Sequence, residues 1–176
     1  NYLVVSAAQN TSGNQLYIKD LGSPKSEFIQ IDDDYFSRVS FLDNVGSKIY
    51  LYTNIDAPNY RIVSFDLSSP DNWKDVIPEN DNVLRANTGG GKIFANYLID
   101  AKTSVIQYDM EGNKERDVEL PGIGSAGGFG GDKDDEDFYY SFTSFTYPTT
   151  IYKYDIASGT STMYRQPEID FNPDEY

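Results

Sequence analysis

Four short segments of this chain repeat one another: "QLYIKDL" (15–21), "RIVSFDL" (61–67), "VIQYDM" (105–110) and "IYKYDI" (151–156). Each alternates like a strand, reaches an aromatic residue or a lysine, then places an aspartate before an aliphatic residue or methionine. The shared aspartates are Asp20, Asp66, Asp109 and Asp155, spaced 46, 43 and 46 residues apart. A period of 40–50 residues built from strands marks the blades of a propeller, and no sustained helical periodicity competes with it.

The flanks repeat as well. Before each aspartate-ended strand lies another: "YLVVSAA", "KIYLYTN", "KIFANYLI" and "FYYSFTSF". After it come a turn and a short strand: "SEFIQI", "KDVIP", "RDVEL" and "TMYRQ". "EGNK" (111–114) and "ASGT" (157–160) are glycine-containing hairpin signals. A further segment opens the later repeats, "SRVSFL" (37–42), "VLRAN" (83–87) and "GIGSAGG" (122–128). The expected fold is all-β: a partial β-propeller of about four blades of four antiparallel strands, the first lacking its opening strand. The blades fall at about 1–33, 34–80, 81–121 and 122–166, with a tail at 167–176.

In such a fold the opening strand lines a crowded channel, which suits Gly122, Gly124, Ala126 and Gly127. The second strand of each blade is expected to be covered on both faces. "DFYYSFTSFTYPTTIYKYDI" (137–156) reads as two strands around a turn at Tyr147-Pro148. Tyr140 and Phe142 fall on one face and Phe145 on the other, all expected to be packed.

Length and composition narrow the function. At 176 residues the chain fits one domain. A net charge of −14 leaves little to neutralise phosphates, which argues against nucleic acid and an anionic membrane surface. No apolar run approaches a membrane span. The chain has no cysteine and no histidine. That removes disulfides, thiolate chemistry, Ser-His-Asp and Cys-His nucleophile activation, and the commonest metal ligand. It opens on Asn1, as a piece of a longer chain would.

The remaining motifs favour structural readings. "GIGSAG" (122–127) spells a dinucleotide fingerprint, but the acidic "GFGGDKDDEDFYY" follows it instead of a helix. Ser125 is no nucleophile elbow, because Ile123 replaces the required glycine. "NTGGGKI" (87–93) fails phosphate-loop spacing and reads as a turn. "DKDDED" (132–137) lacks the glycine and distal glutamate of a calcium loop, and "DDDYF" (32–36) is likewise a solvated acidic loop. Asn10-Thr11-Ser12 is a glycosylation sequon in spelling only. The four repeated aspartates are expected to cap turns. No residue is assigned to catalysis, a cofactor or a metal.

Three stretches, "TNIDAPNYRIVSFDL" (53–67), "WKDVIPEN" (73–80) and residues 137–156, resemble the propeller of prolyl oligopeptidases. They share its order and separations, and the likeness runs from "YLVVS" to about "EIDF". The resemblance implies a cytosolic or periplasmic serine peptidase that cleaves short peptides after proline. In that family an α/β-hydrolase domain of the same chain carries Ser, Asp and His, and a seven-bladed propeller filters substrates by size. This chain resembles the second half of that propeller, with the hydrolase domain following Tyr176. Family members place a substrate-facing arginine where Ala8 or a neighbour stands, so no binding residue carries over. The competing readings are a free-standing peptide- or protein-binding module and a relative of another specificity. The isolated fragment is expected either to close tightly on its four blades or to self-associate face to face, with "TMYRQPEIDF" (162–171) free to pair at an edge.

Overall fold

The structure is a computed structural model that describes residues 1–145 and 147–168. Those residues form four antiparallel sheets and no helix. The first contains β1 (Tyr2–Ala7), β2 (Gln15–Asp20) and β3 (Ile29–Asp32), in that order. The second runs β4 (Val39–Val45), β5 (Lys48–Thr53), β6 (Arg61–Asp66) and β7 (Lys74–Ile77). The third runs β8 (Leu84–Gly89), β9 (Lys92–Ile99), β10 (Lys102–Asp109) and β11 (Lys114–Asp117). The fourth runs β12 (Ser125–Gly127), β13 (Asp137–Thr143), β14 (Thr150–Asp155) and β15 (Thr160–Arg165). This is the expected pattern of one three-stranded and three four-stranded sheets, each an up-and-down meander.

Length alone allows one domain, but contacts divide the chain into two compact units, Asn1–Leu84 and a second beginning at Arg85. In the first, Leu16 and Ile18 of β2 pack with Val39, Ile49, Leu51, Val63 and Phe65 of the neighbouring sheet. The Asn14 side chain joins the same two sheets by imitating a backbone. Its Nδ2 donates to the Val39 carbonyl at 2.8 Å and its Oδ1 accepts from the Val39 N–H at 3.2 Å. The second unit is held by rings. Phe94 of β9 meets Phe138 of β13 edge to face at 4.8 Å, and Phe129 stacks on Tyr140 at 4.5 Å.

In all four sheets the strand that ends in the shared aspartate shifts register against the outer strand, which carries the extra residue: Ile31, Val76, Glu115 and Tyr164 in turn. The shifts fall at Leu16/Tyr17, Ile62/Val63, Gln107/Tyr108 and Ile151/Tyr152. An extra residue at such a point increases local twist, and the second sheet has a further shift at its opening edge, between Phe41 and Asp43 of β4.

"NTGGGKI" is indeed a turn, and a tight one. Gly90 and Gly91 form the two-residue link from β8 to β9, with φ of 57° and 66°. Two consecutive positive φ values are the type I′ signature. Asp100 and Ala101 make the same link between β9 and β10 at 50° and 62°, without any glycine.

Three expectations need correction. Tyr140 and Phe142 are buried, but Phe145 is fully exposed at 111%. Strand β13 ends at Thr143, and the chain then turns, with the Ser144 N–H bonded to the Tyr147 carbonyl at 3.1 Å. The alternation of β13 therefore does not extend to Phe145. Cover on both faces holds for β5, where Ile49, Tyr50 and Leu51 are all buried, and for β9 at Ile93, Phe94 and Ala95. It fails for β1, whose Leu3 and Val5 are exposed, and for β13, whose Tyr139 is 47% exposed between buried Phe138 and Tyr140. Finally, Gly122 and Gly124 precede β12 rather than belonging to it. A Cβ on Gly124 would lie 2.3 Å from the Thr143 carbonyl oxygen and 2.8 Å from the Phe142 ring. Its small size is thus required by close approach to β13.

Candidate functional site

Each repeated aspartate closes the turn that follows its own strand. Asp20 Oδ1 accepts from the Gly22 N–H at 2.7 Å, and Asp66 Oδ1 accepts from the Ser68 N–H at 2.9 Å. Asp109 Oδ1 accepts from Glu111 and Asn113 at 2.9 and 2.8 Å, and Asp155 Oδ1 accepts from Ser158 at 2.7 Å. A carboxylate two or three residues before an N–H is the geometry by which Asp nucleates a turn.

The Ser47 hydroxyl, aided by the hydroxyl and N–H of Ser68, holds the Asp66 carboxyl down at about 2. Asn113 depresses Asp109 and Ser158 depresses Asp155 in the same direction. A depressed folded-state pKa adds stability that is complete above the unfolded value, here 3.8, and lost as pH falls through about 2. Asp66→Asn is therefore expected to flatten the acid limb of the stability profile. Urea unfolding of both proteins from about pH 5 down to pH 2 checks this. Parallel acid limbs would refute the assignment.

The first two family-like motifs meet in space. In "TNIDAPNYR", Asn54 Oδ1 accepts from the Arg38 N–H at 2.6 Å, and the Tyr60 N–H donates to the Ala57 carbonyl at 2.7 Å. Tyr60 has a φ of 69° and stacks on Tyr52 with centroids 4.6 Å apart and planes 6° apart. In "WKDVIPEN", the Glu79 carboxylate accepts the Asn59 N–H, and the Asn80 carbonyl accepts from Asn59 Nδ2 at 3.0 Å. The Leu84 N–H then donates to the Asn59 carbonyl at 2.8 Å. Asn59 is thus clamped by side-chain and backbone bonds, which hold the strained Tyr60 against Tyr52. The first motif shapes a loop and the second locks it. Sequence reasoning quoted both motifs but assigned neither this task.

The acidic loops are folded on themselves. Asp135 Oδ2 accepts from the Asp132 N–H at 2.7 Å, and Asp137 pairs with Lys153 at 2.7 Å. Asp34 Oδ1 accepts from Phe36 and Ser37, while burial pushes the Asp32 carboxyl up. Among the described residues, no group of three or more His, Cys, Asp or Glu side chains is placed to hold a metal ion. Asn10 Oδ1 accepts from the Ser12 N–H at 2.8 Å, another local turn.

Two depressions open on the second unit. One, of about 590 Å³, is lined by Lys92, Gln107, Glu115, Arg116, Glu136 and Asp155 among others. The other, of about 280 Å³, lies among Pro121, Ile123, Phe142, Tyr147 and Tyr152. With no histidine or cysteine in the sequence, neither contains an activated nucleophile of the Ser-His or Cys-His kind. What the geometry provides is sheets packed ring on ring.

Repeated meanders with aspartate-capped turns define a segment of an all-β propeller. The family model "Prolyl oligopeptidase, N-terminal beta-propeller domain" matches residues 1–167. A prolyl endopeptidase from Elizabethkingia meningoseptica is 49% identical over 99% of this chain and 25% of its own length. Prolyl oligopeptidase A of Galerina marginata is 31% identical over 88% of this chain and 22% of its own. A solved prolyl endopeptidase superposes with a TM-score of 0.88 at 30% identity, covering 98% of this chain and 26% of that one. The chain belongs to the prolyl oligopeptidase family, as part of its N-terminal propeller. It spans about a quarter of the length of the curated relatives it matches.

Proposed function

We propose that this chain is the substrate-gating part of a serine-type prolyl endopeptidase that cleaves short peptides after proline. The observation that carries this reading is the 49% identity, over nearly the whole chain, to a prolyl endopeptidase. In the proposed mechanism the propeller acts by exclusion. Rings such as Phe94, Phe129, Phe138 and Tyr140 make the sheet contacts rigid, so that a bulky substrate cannot part the wall. The partner is an α/β-hydrolase domain of the same longer chain, carrying the Ser, Asp and His. The compartment that fits is the cytoplasm or the periplasm, and the lack of cysteine suits either.

The isolated 176-residue chain is expected to leave a fluorogenic Gly-Pro substrate uncleaved. The longer chain with its hydrolase domain should cleave it, and should cleave an unfolded protein containing the same site far more slowly. Turnover by the isolated chain, or equal cleavage of both substrates by the longer one, would refute the proposal.

The isolated chain is also expected to self-associate. Leu3 and Val5 alternate with core-facing Tyr2 and Val4, so they lie on the outer face of the first sheet, both exposed. Tyr139 and Tyr164 touch at 4.7 Å on the outer face of the fourth and are exposed as well. Exposed apolar faces on a soluble chain favour association. The charge of −14 opposes it, and salt screens that repulsion beyond about 8–10 Å. Sedimentation velocity should show oligomers that grow with added salt; a monomer throughout would contradict this. Of the segment expected to pair at an edge, 162–165 lies in β15, bonded to β14, and 169–171 lie outside the described residues.

A further inference from the structure

A continuous polar chain crosses the aromatic contact between the third and fourth sheets. At its outer end the Lys92 ammonium pairs with Glu115 Oε1. Glu115 Oε2 accepts from Gln107 Nε2 at 2.8 Å, and the same Nε2 donates to the Ile156 carbonyl at 3.2 Å. Gln107 Oε1 accepts from the Tyr154 hydroxyl at 2.6 Å. Lys92 and Glu115 keep partial contact with solvent, whereas Gln107 is 1% exposed and Tyr154 is fully buried. Lys92, Gln107 and Glu115 stand on the third sheet, Tyr154 lies in β14 of the fourth, and Ile156 directly follows β14. The chain therefore connects a charged pair at the surface to a bond inside the contact.

The orientation of the Gln107 amide is the critical element. An amide presents an acceptor on one side and two donors on the other. With Glu115 ionised, the donors must face the carboxylate and the Ile156 carbonyl, which turns Oε1 towards Tyr154. A flipped amide would set its oxygen against two acceptors. Burial pushes the Tyr154 hydroxyl up to about 12, so it remains a donor at every ordinary pH. A neutral Glu115 loses its ion pair with Lys92 and can offer a proton, leaving only the Ile156 carbonyl to demand a donor of the amide.

We propose that Lys92, Glu115, Gln107 and Tyr154 form an acid-released latch between the two sheets, closed while Glu115 is ionised and freed when Glu115 takes up a proton. Burial pushes the Glu115 carboxyl up, but the bonds from Lys92 and Gln107 outweigh this and leave it below its ordinary value of 4.5. The latch is therefore complete above that ordinary value and is lost as pH falls through the lower folded one. The other charges facing it are Asp109 at the end of β10, Arg116 of β11, Asp135 and Glu136 before β13, and Asp155 at the end of β14. All of these are retained when Glu115 alone is changed.

The test is hydrogen exchange on the whole 176-residue chain, read by mass spectrometry and corrected for the intrinsic pH dependence of exchange. At neutral pH, Glu115→Gln should lose about tenfold in protection over β10 and β14, with β2 and β6 unchanged. The unsubstituted chain should develop the same local loss on acidification, and the variant should change little further in those strands. Gln107→Leu should show the local loss at neutral pH without a matching acid response; should it fail to fold, Glu115→Gln alone decides. Wild-type protection and acid profile in Glu115→Gln would overturn the proposal. So would a loss spread equally over both units, which would mark general destabilisation instead.

Discussion

Tyr140→Ala and Phe142→Ala are each expected to lower the unfolding free energy by about 3–5 kcal/mol, whereas Phe145→Ala should change it by less than about 0.5 kcal/mol. The three rings lie within six positions of sequence, so the contrast tests the structure rather than composition. Tyr140 is 1% exposed and lies between Phe129, stacked at 4.5 Å, and Tyr152 at 5.5 Å. Phe142 is 3% exposed and presses on Gly124, so its removal also empties the space that this glycine keeps narrow. Around Tyr140, Phe129 is itself held edge to face by Phe138, which limits collapse into the vacancy. Phe145 buries nothing. Denaturant midpoints at constant slope give the three values directly. A large cost at Phe145, or small costs at the other two, would mean that β13 presents a different face to the core.

The difference between these rings also shows what the sequence could disclose. Asp20, Asp66, Asp109 and Asp155 were legible because their task is local: a carboxylate and an N–H two or three residues on carry the whole interaction. Their spacing therefore revealed the sheets, the strand order and the missing first strand. Side-chain burial is not local. Phe138 and Tyr139 have equal claims to the core on hydrophobic pattern, and only the presence of the third sheet on one side separates them. Phe145 continued the run of rings in the sequence, but the bond from the Ser144 N–H to the Tyr147 carbonyl had already ended the strand.

Other features carried no distinctive sequence signal. The link at Asp100-Ala101 adopts two positive φ values with residues that rarely do so together. The register shifts leave no mark in composition, and β11 begins at Lys114, earlier than the "RDVEL" reading placed it. Gln107 looks like an ordinary outward polar residue in "VIQYDM". Its burial becomes intelligible only once Tyr154, 47 positions away, supplies the hydroxyl that faces it. The sequence pointed to no catalytic residue, and the structure adds a clamp around Asn59 and ring-on-ring contacts between sheets.

Gly90→Val is expected to cost several kcal/mol, and far more than the same change at the adjacent Gly91. Both residues have positive φ, 57° and 66°, so valine pays a backbone penalty at either one, its branched side chain being poorly accommodated there. Their surroundings differ. A Cβ on Gly91 meets nothing within 4 Å, whereas one on Gly90 lies 2.4 Å from Ile156 Cδ1 and 2.6 Å from the Asp135 carbonyl oxygen. Ile156 belongs to the core cluster, and its Cδ1 is the end of a side chain that can shift in part. The Asp135 oxygen is backbone, in a loop held by the Asp132 N–H on Asp135 Oδ2 and by the Gly90 N–H on the Asp132 carbonyl. Relief at Gly90 therefore requires the β8–β9 hairpin to separate from the loop that leads into β13. Comparing Gly90→Ala, Gly91→Ala and both valine variants isolates the two contributions. The Gly91 pair reports backbone strain alone, and the excess at Gly90 reports the close approach. Equal losses at the two positions would show that the hairpin does not rest on that loop.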